Sequence, residues 1–300
     1  MKKCILLFMA CMLLSGCSAS APPQDDKLQI VATLFPQYDF AREICGDKAH
    51  IKLLLPPGAD SHAYEPTPSD IVTIANADLF LYTGDDMEPW ASRLTENVSG
   101  KVVNVSVGTA MASEDHTHDA PSSHAHADIE PHIWTNPQNA IRMTENILEA
   151  ICEKDAANKD YYSQNASSYI EKLTKLDADF EHVVKNAKRK TLYFGGHFAL
   201  RHFTERYGLS YKAAFDSCSG EAEPSAQVLT EIIDAMRQDE IPVIYFEELS
   251  TPRAAEMIAK ETGAKMLLFH SCHNISSAES GETYLSLMQK NLENVKIGLN

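Results

Sequence analysis

Between Met111 and Trp134 the chain reads MASEDHTHDAPSSHAHADIEPHIW, a stretch holding five of its twelve histidines. His116 and His118, then His124 and His126, alternate with small or acidic residues, and Pro121, Ser122 and Ser123 separate the two pairs. No apolar residue recurs there at helical or strand spacing, so residues 114–128 are expected to form a loop rather than packed structure. Neutral imidazole is the commonest protein ligand for borderline metals, and such a tract reads first as metal binding. A solvated polar loop is the plain alternative, whereas an expression tag would be terminal and uninterrupted. His132 is different, standing among Pro131, Ile133 and Trp134 as though fixed against a core.

Three more histidines sit in comparable surroundings. His62 lies in PPGADSHAYEP after the apolar run ending at Leu55, His197 follows TLYFGG, and His270 follows KMLLF within HSCHN. Each comes after a predicted strand or its loop, where an α/β protein gathers its ligand sites. With His132 they make four imidazoles, two from each half of the chain, enough to surround one ion as tetrahedral zinc prefers. His273 competes with His270 for the fourth place. His50, His182 and His202 lack this context and read as structural.

The elements that must position these residues alternate between strand and helix. Strands are predicted at 28–33, 50–55, 78–82 and 101–105, with helices at 38–45, 69–76 (capped by Ser69) and 87–96 between them. A helix at 137–153 follows the His-rich loop. Asp155 to about Lys188 contains neither Pro nor Gly, and Tyr162, Tyr169, Leu173, Leu176, Phe180, Val183 and Val184 recur at threes and fours. That is a helix roughly 45 Å long at 1.5 Å per residue, a strut rather than a crossover. The second half repeats the pattern, with strands at 191–195, 209–215, 242–247 and 265–269 and helices at 198–207, 225–237, 253–262 and 282–296. The predicted fold is α/β, with two lobes, each a mostly parallel four-stranded sheet flanked by helices, joined by one long backbone helix. The N-terminal lobe spans 28–154, the linking helix 155–189 and the C-terminal lobe 190–300.

At the start of the chain, Lys2 and Lys3 precede an apolar run and Leu14-Ser15-Gly16-Cys17, the pattern of a secretory signal at 1–16. Leu-Ser-Gly-Cys resembles a bacterial lipobox, which implies cleavage before Cys17, a lipid anchor on its sulfur, and a tether at 17–27. The formal net charge is −16, which disfavours nucleic acid as a partner. Of the seven cysteines, Cys218 and Cys272 lie in loop-like sequence and are expected to form a disulfide, with free thiols or zinc thiolates as alternatives. Cys45 and Cys152 read as buried thiols.

PPGADSHAYEPTPSD, EPHIWTNP, GGHFALRHFTERYGL and GETYLSLMQKNLENV together resemble the cluster A-I substrate-binding proteins of metal-uptake ABC transporters, from about Leu28 to Asn300. The resemblance implies metal bound between the lobes and passed to a membrane permease, with the three family histidines mapping onto His62, His132 and His197. The family's fourth ligand is often an aspartate where this chain has His270-Ser271, and Glu130 replaces the usual Asp before Pro-His. Four nitrogens suit zinc better than manganese, which prefers oxygen donors, so Zn(II) is the expected cargo, with copper and nickel not separable on donor type. The alternatives are a manganese- or iron-binding member of the family, or a surface adhesin or metal buffer. A metal-dependent hydrolase is disfavoured, because no HExxH pattern occurs and the site closes with protein nitrogens. The expected protein is therefore not an enzyme but an extracytoplasmic, lipid-anchored monomer working with an ABC permease.

Overall fold

A computed structural model describes residues 27–96, 98–110, 130–215, 224–249 and 251–300. The expected signal peptide, Cys17, the loop histidines His116, His118, His124 and His126, and Cys218 lie outside the described residues.

Two sheets of four parallel strands form the two lobes. The first contains β1 (Leu28–Ala32), β2 (Ala49–Leu53), β3 (Leu79–Tyr82) and β4 (Lys101–Asn104), in the order β2-β1-β3-β4. The second contains β5 (Thr191–His197), β6 (Ser210–Phe215), β7 (Val243–Phe246) and β8 (Lys265–Leu268), in the order β6-β5-β7-β8. In each, strand order reverses beside the first strand, which opens a crevice at the carboxyl ends. The first lobe's helices are α1 (Phe35–Cys45), α2 (Pro68–Ala75), the short α3 (Ser92–Thr95) and α4 (Pro137–Lys154). The strut is α5 (Lys159–Asn186), and the second lobe carries α6 (Arg201–Tyr207), α7 (Ala226–Gln238), α8 (Arg253–Thr262) and α9 (Tyr284–Leu299).

Local chemistry accounts for where these elements begin and end. The α2 helix is capped by Thr67 rather than Ser69, since the Thr67 hydroxyl accepts the Asp70 N–H and Pro68 occupies the first turn, where a missing N–H costs nothing. The helix expected at 87–96 shrinks to four residues. Pro89 disfavours helical backbone at Glu88, and the Glu88 carboxylate instead collects the N–H groups of Thr83 and Gly84. The long helix of the sequence reading is present but spans Lys159–Asn186; Tyr162, Tyr169, Leu173, Leu176, Phe180 and Val184 are buried, and Val183 is half-buried.

One apolar core crosses the lobe boundary, running from Ile30 and Phe40 through Tyr169 and Phe180 to Phe203, Phe269 and Tyr284. Polar ties reinforce it. Asn274 Nδ2 donates to the carbonyls of Pro56 and Ala59, each at 2.8 Å, and Gly58 N–H donates to the Ile275 carbonyl at 2.9 Å. Buried Asp177 on the strut accepts Arg206 bidentately at 3.0 and 2.7 Å, Tyr207 Oη at 2.9 Å and Gln138 Nε2 at 2.6 Å, so it joins both lobes to α5.

Asp39 on α1 accepts the Tyr284 N–H at the start of α9 at 2.8 Å. Burial raises its carboxyl from 3.8 to about 6, a rise that the Tyr284 N–H and Arg42 only partly offset. The folded protein therefore favours the neutral acid. That contribution to stability is complete below pH 3.8 and is lost as pH climbs through about 6, in all about 3 kcal/mol. Asp39→Asn keeps an oxygen for Tyr284 and removes the charge. In urea titrations from pH 4 to 7, the wild type is expected to lose about this much stability relative to the variant; a pH-independent difference between the two would refute the assignment.

Candidate metal centre

The carboxyl ends of the two sheets face each other, and four imidazoles meet between them. His62 comes from the loop after β2, its backbone N–H fixed by Asp60 Oδ1 at 2.9 Å. His132 precedes α4 and is 1% exposed. His197 ends β5, and His273 lies on the loop after β8. From His132, ring centroids lie 5.1 Å away at His62, 6.1 Å at His197 and 6.2 Å at His273. The Nε2 atoms of His62 and His132 are 3.2 Å apart. Two nitrogens on one zinc, each bonded at about 2.0–2.1 Å in a tetrahedron, lie roughly 3.3 Å apart, so this spacing suits a shared cation. Among the described residues no three His, Cys, Asp or Glu side chains stand in an ion-holding arrangement, and the rings would have to turn inward to share one ion.

Carboxylates stand behind the imidazoles. Glu130 Oε1 accepts the His132 backbone N–H at 3.0 Å and bonds its Nδ1. Burial acts to raise the Glu130 carboxyl, but His132 and then His202 overcome it and hold the group at about 2. Glu247 Oε2 lies 3.2 Å from His197 Nδ1, and Oε1 accepts the Ala199 N–H at 3.3 Å. Burial pushes the Glu247 carboxyl up, and the His197 contact opposes it. A proton held on Nδ1 by a carboxylate leaves the Nε2 lone pair for a metal. His273 is pushed down to about 4, first by burial and then, against the opposing pull of Glu248, by His132. His62 is also lowered, through loss of hydration around the ring and then through His132 and His273, although its residue stays exposed at the cleft mouth. Both shifts favour the neutral form that ligation needs.

Local backbone explains this placement. Gly195 lets Ala255 of α8 approach β5 so closely that an added Cβ would sit 2.4 Å from the Ala255 Cα. The β5–β6 register shifts between Phe194 and His197, an irregularity at the strand end that carries His197. Cys272 and Leu249 are non-glycine residues in left-handed backbone, at φ 64° and 59°, and each immediately flanks the site.

His270 does not join the cluster, in contrast to the sequence reading. Its Nδ1 accepts the Cys272 N–H at 2.9 Å, which leaves hydrogen on Nε2. Nε2 lies 3.4 Å from Glu279 Oε1 and faces a cleft beside α9 lined also by Lys290 and Glu293. The left-handed turn at Cys272 sends the two histidines of HSCHN in different directions, so His273 takes the place expected of His270. The expected Cys218–Cys272 bridge meets a free, fully buried thiol at Cys272, whose Sγ lies 3.6 Å from the His270 carbonyl. Cys45 and Cys152 are free as expected, Cys45 buried and Cys152 half-buried. Sequence reasoning missed Glu247 and Glu248, whose signal was a pair of acids at the carboxyl end of an apolar strand.

Two parallel-sheet lobes joined by one long helix, with imidazoles converging between them, define the architecture of a two-lobed binding protein with a histidine-lined cleft. Residues 30–298 match the family described as zinc-uptake complex component A, periplasmic (ZnuA), and the chain belongs to it. It is 33% identical over 308 residues to the high-affinity zinc uptake system protein ZnuA of Bacillus subtilis (strain 168), covering 99% of this chain and 95% of that protein. It is 32% identical over 306 residues to the zinc-binding lipoprotein AdcA of Streptococcus pneumoniae, covering 99% of this chain; the chain spans 61% of that relative's length. The crystal structure of the Zn(II)-bound ZnuA-like domain of Streptococcus pneumoniae AdcA is similar with a TM-score of 0.77 at 30% identity, over 91% of this chain and 99% of that one.

His202, read from sequence as structural, bonds the Glu130 carbonyl through Nε2 at 2.8 Å and so fixes the segment that carries His132. His202→Leu leaves that carbonyl without this donor. Denaturant unfolding is expected to show a loss of about 1–3 kcal/mol, and an unchanged midpoint would remove this role.

Proposed function

We propose that the protein captures Zn(II) between its lobes through His62, His132, His197 and His273 and delivers it to the permease of an ABC transporter. The observation that carries this reading is the convergence of four imidazoles from both lobes, at least two of them backed at Nδ1 by a glutamate. A set of four neutral nitrogens favours zinc over manganese. Zinc is cargo here, not a catalyst, and the protein is read as a binding component rather than an enzyme. Family membership and the zinc-binding names of its relatives support the same conclusion.

In this reading the chain is exported, cleaved before Cys17 and held at the outer face of the cell membrane by lipid on that sulfur, with residues 17–27 as a tether and the protein working as a monomer. No described helix is long and apolar enough to cross a membrane. The tract containing His116, His118, His124 and His126 collects zinc weakly and raises its concentration near the cleft.

Metal-stripped protein offered zinc and manganese together is expected to take up one zinc tightly; a preference for manganese would overturn the assignment. Alanine at His62, His132, His197 or His273 is expected to weaken zinc binding in chelator competition far more than alanine at His182 or His270. Deleting residues 114–127 is expected to slow growth only where zinc is scarce, and normal growth under scarcity would remove the collecting role.

A further inference from the structure

The HSCHN turn contains an arrangement that goes beyond placing His273 in the cleft. Ser271 has a single hydroxyl hydrogen, and it donates that hydrogen to Glu248 Oε1 at 2.6 Å. The Ser271 backbone N–H donates to Glu248 Oε2 at 2.8 Å, so both carboxylate oxygens are engaged by one residue. A carboxylate only accepts, and a hydroxyl whose hydrogen is already committed can only accept in its remaining directions. Ser271 Oγ is in contact with His273 Nδ1 and also takes the His273 backbone N–H at 3.5 Å. The Nδ1 contact is a hydrogen bond only if Nδ1 carries the hydrogen.

We infer that Glu248, acting through Ser271, selects the Nδ1–H tautomer of His273 and so presents the Nε2 lone pair to the metal. This deepens the zinc-site reading and rests on it. Glu248 is a positioning residue, since it reaches the metal only through Ser271 and His273. It lies 3.6 Å from His273 Nδ1 and 3.2 Å from His270 Nδ1 on the same Oε1, and it is 8% exposed. Were the Ser271 hydrogen turned toward His273 instead, Nδ1 would accept it and the ring hydrogen would sit on Nε2. That tautomer repels a cation and cannot ligate. Glu248 therefore does through a hydroxyl what Glu130 and Glu247 do by direct contact with His132 and His197. Relayed or direct, each of these three ligands has a carboxylate on its Nδ1 side.

The test uses the mature chain with Glu248→Gln, Ser271→Ala, Ser271→Thr and His273→Ala. Two quantities are read: zinc affinity by chelator competition, and the tautomer of each imidazole in the metal-free protein by long-range nitrogen–proton NMR. In the wild type, His273 is expected as Nδ1–H. In Glu248→Gln the side-chain amide can donate to Ser271, which frees the hydroxyl to donate to His273, so the Nε2–H form is expected to appear. Zinc affinity is expected to fall about ten- to a hundredfold in Glu248→Gln and Ser271→Ala, the scale of lost partners behind ligating histidines. The tautomers of His132 and His197 are expected to stay unchanged, which general loosening of the fold would not spare. Ser271→Thr keeps the hydroxyl and is expected to restore both readouts. Wild-type tautomer and affinity in both Glu248→Gln and Ser271→Ala, alongside weakened binding in His273→Ala, would overturn the relay alone. Full affinity in His273→Ala would overturn the ligand assignment beneath it.

Discussion

Side chains separated by more than two hundred residues can share one ion only if the two sheets are held in fixed relation, and Trp134 lies at the centre of that restraint. Its indole Nε1–H donates to the Ser271 carbonyl at 2.7 Å, and its own carbonyl accepts the Tyr284 hydroxyl at 2.6 Å. Trp134 is two residues from His132, and Ser271 is two residues from His273. The hydrogen bond that clasps the lobes therefore also sets the distance between proposed ligands. Phe35 N–H adds a bond to the His273 carbonyl at 3.2 Å, so the fourth imidazole is anchored to the first lobe as well. Because the core runs uninterrupted through α5, separating the lobes would expose apolar surface as well as break these bonds. Ring rotation within a nearly fixed cleft is the cheaper adjustment.

The same geometry resolves an electrostatic difficulty. Four neutral imidazoles around a doubly charged ion leave that charge uncompensated in a partly buried site, whereas carboxylate ligands would neutralise it but draw the site toward harder metals. Here the charges stand one hydrogen bond behind the donors at Glu130 and Glu247, and one hydroxyl further back at Glu248. In the proposed site they would compensate the ion without occupying its coordination positions. Where the resembling family often uses an aspartate as its fourth ligand, the proposed site has an imidazole, with an acid behind it at Glu248. The left-handed backbone at Leu249 and Cys272 is the conformational cost of that arrangement, roughly 1–3 kcal/mol at each position.

The fold was largely legible because its signals are local and repeated. Apolar runs ended by Gly, Pro or polar turns alternate with amphipathic stretches, and the strut declares itself by thirty residues without a breaker. Errors fell where a side chain competes with the backbone for hydrogen bonds. The stretch around Met87 has helical composition, yet Glu88 gives its carboxylate to Thr83 and Gly84, and Pro89 stops the helix from closing. The sequence offered His62, His132 and His197 because each lies in a loop or strand end between predicted elements, and the structure brings their rings together with that of His273. The choice between His270 and His273 could not, because it depends on the sign of one φ angle at Cys272. Glu247 and Glu248 were visible as letters but had no assigned purpose until the strand ends of β5 and β7 were seen side by side.

The clasp has an optical consequence. The chain has two tryptophans. Trp90 packs against Tyr64 at 5.7 Å in the first lobe, while Trp134 is fully buried with the His132 ring edge-on at 5.4 Å. An imidazole so close to an indole alters its emission when the ring gains charge, so one native fluorophore is coupled to the centre of the cleft. With His132 a ligand as proposed, Trp134 would report occupancy of the cleft, and replacing Trp90 with phenylalanine would isolate that signal without a dye or a label.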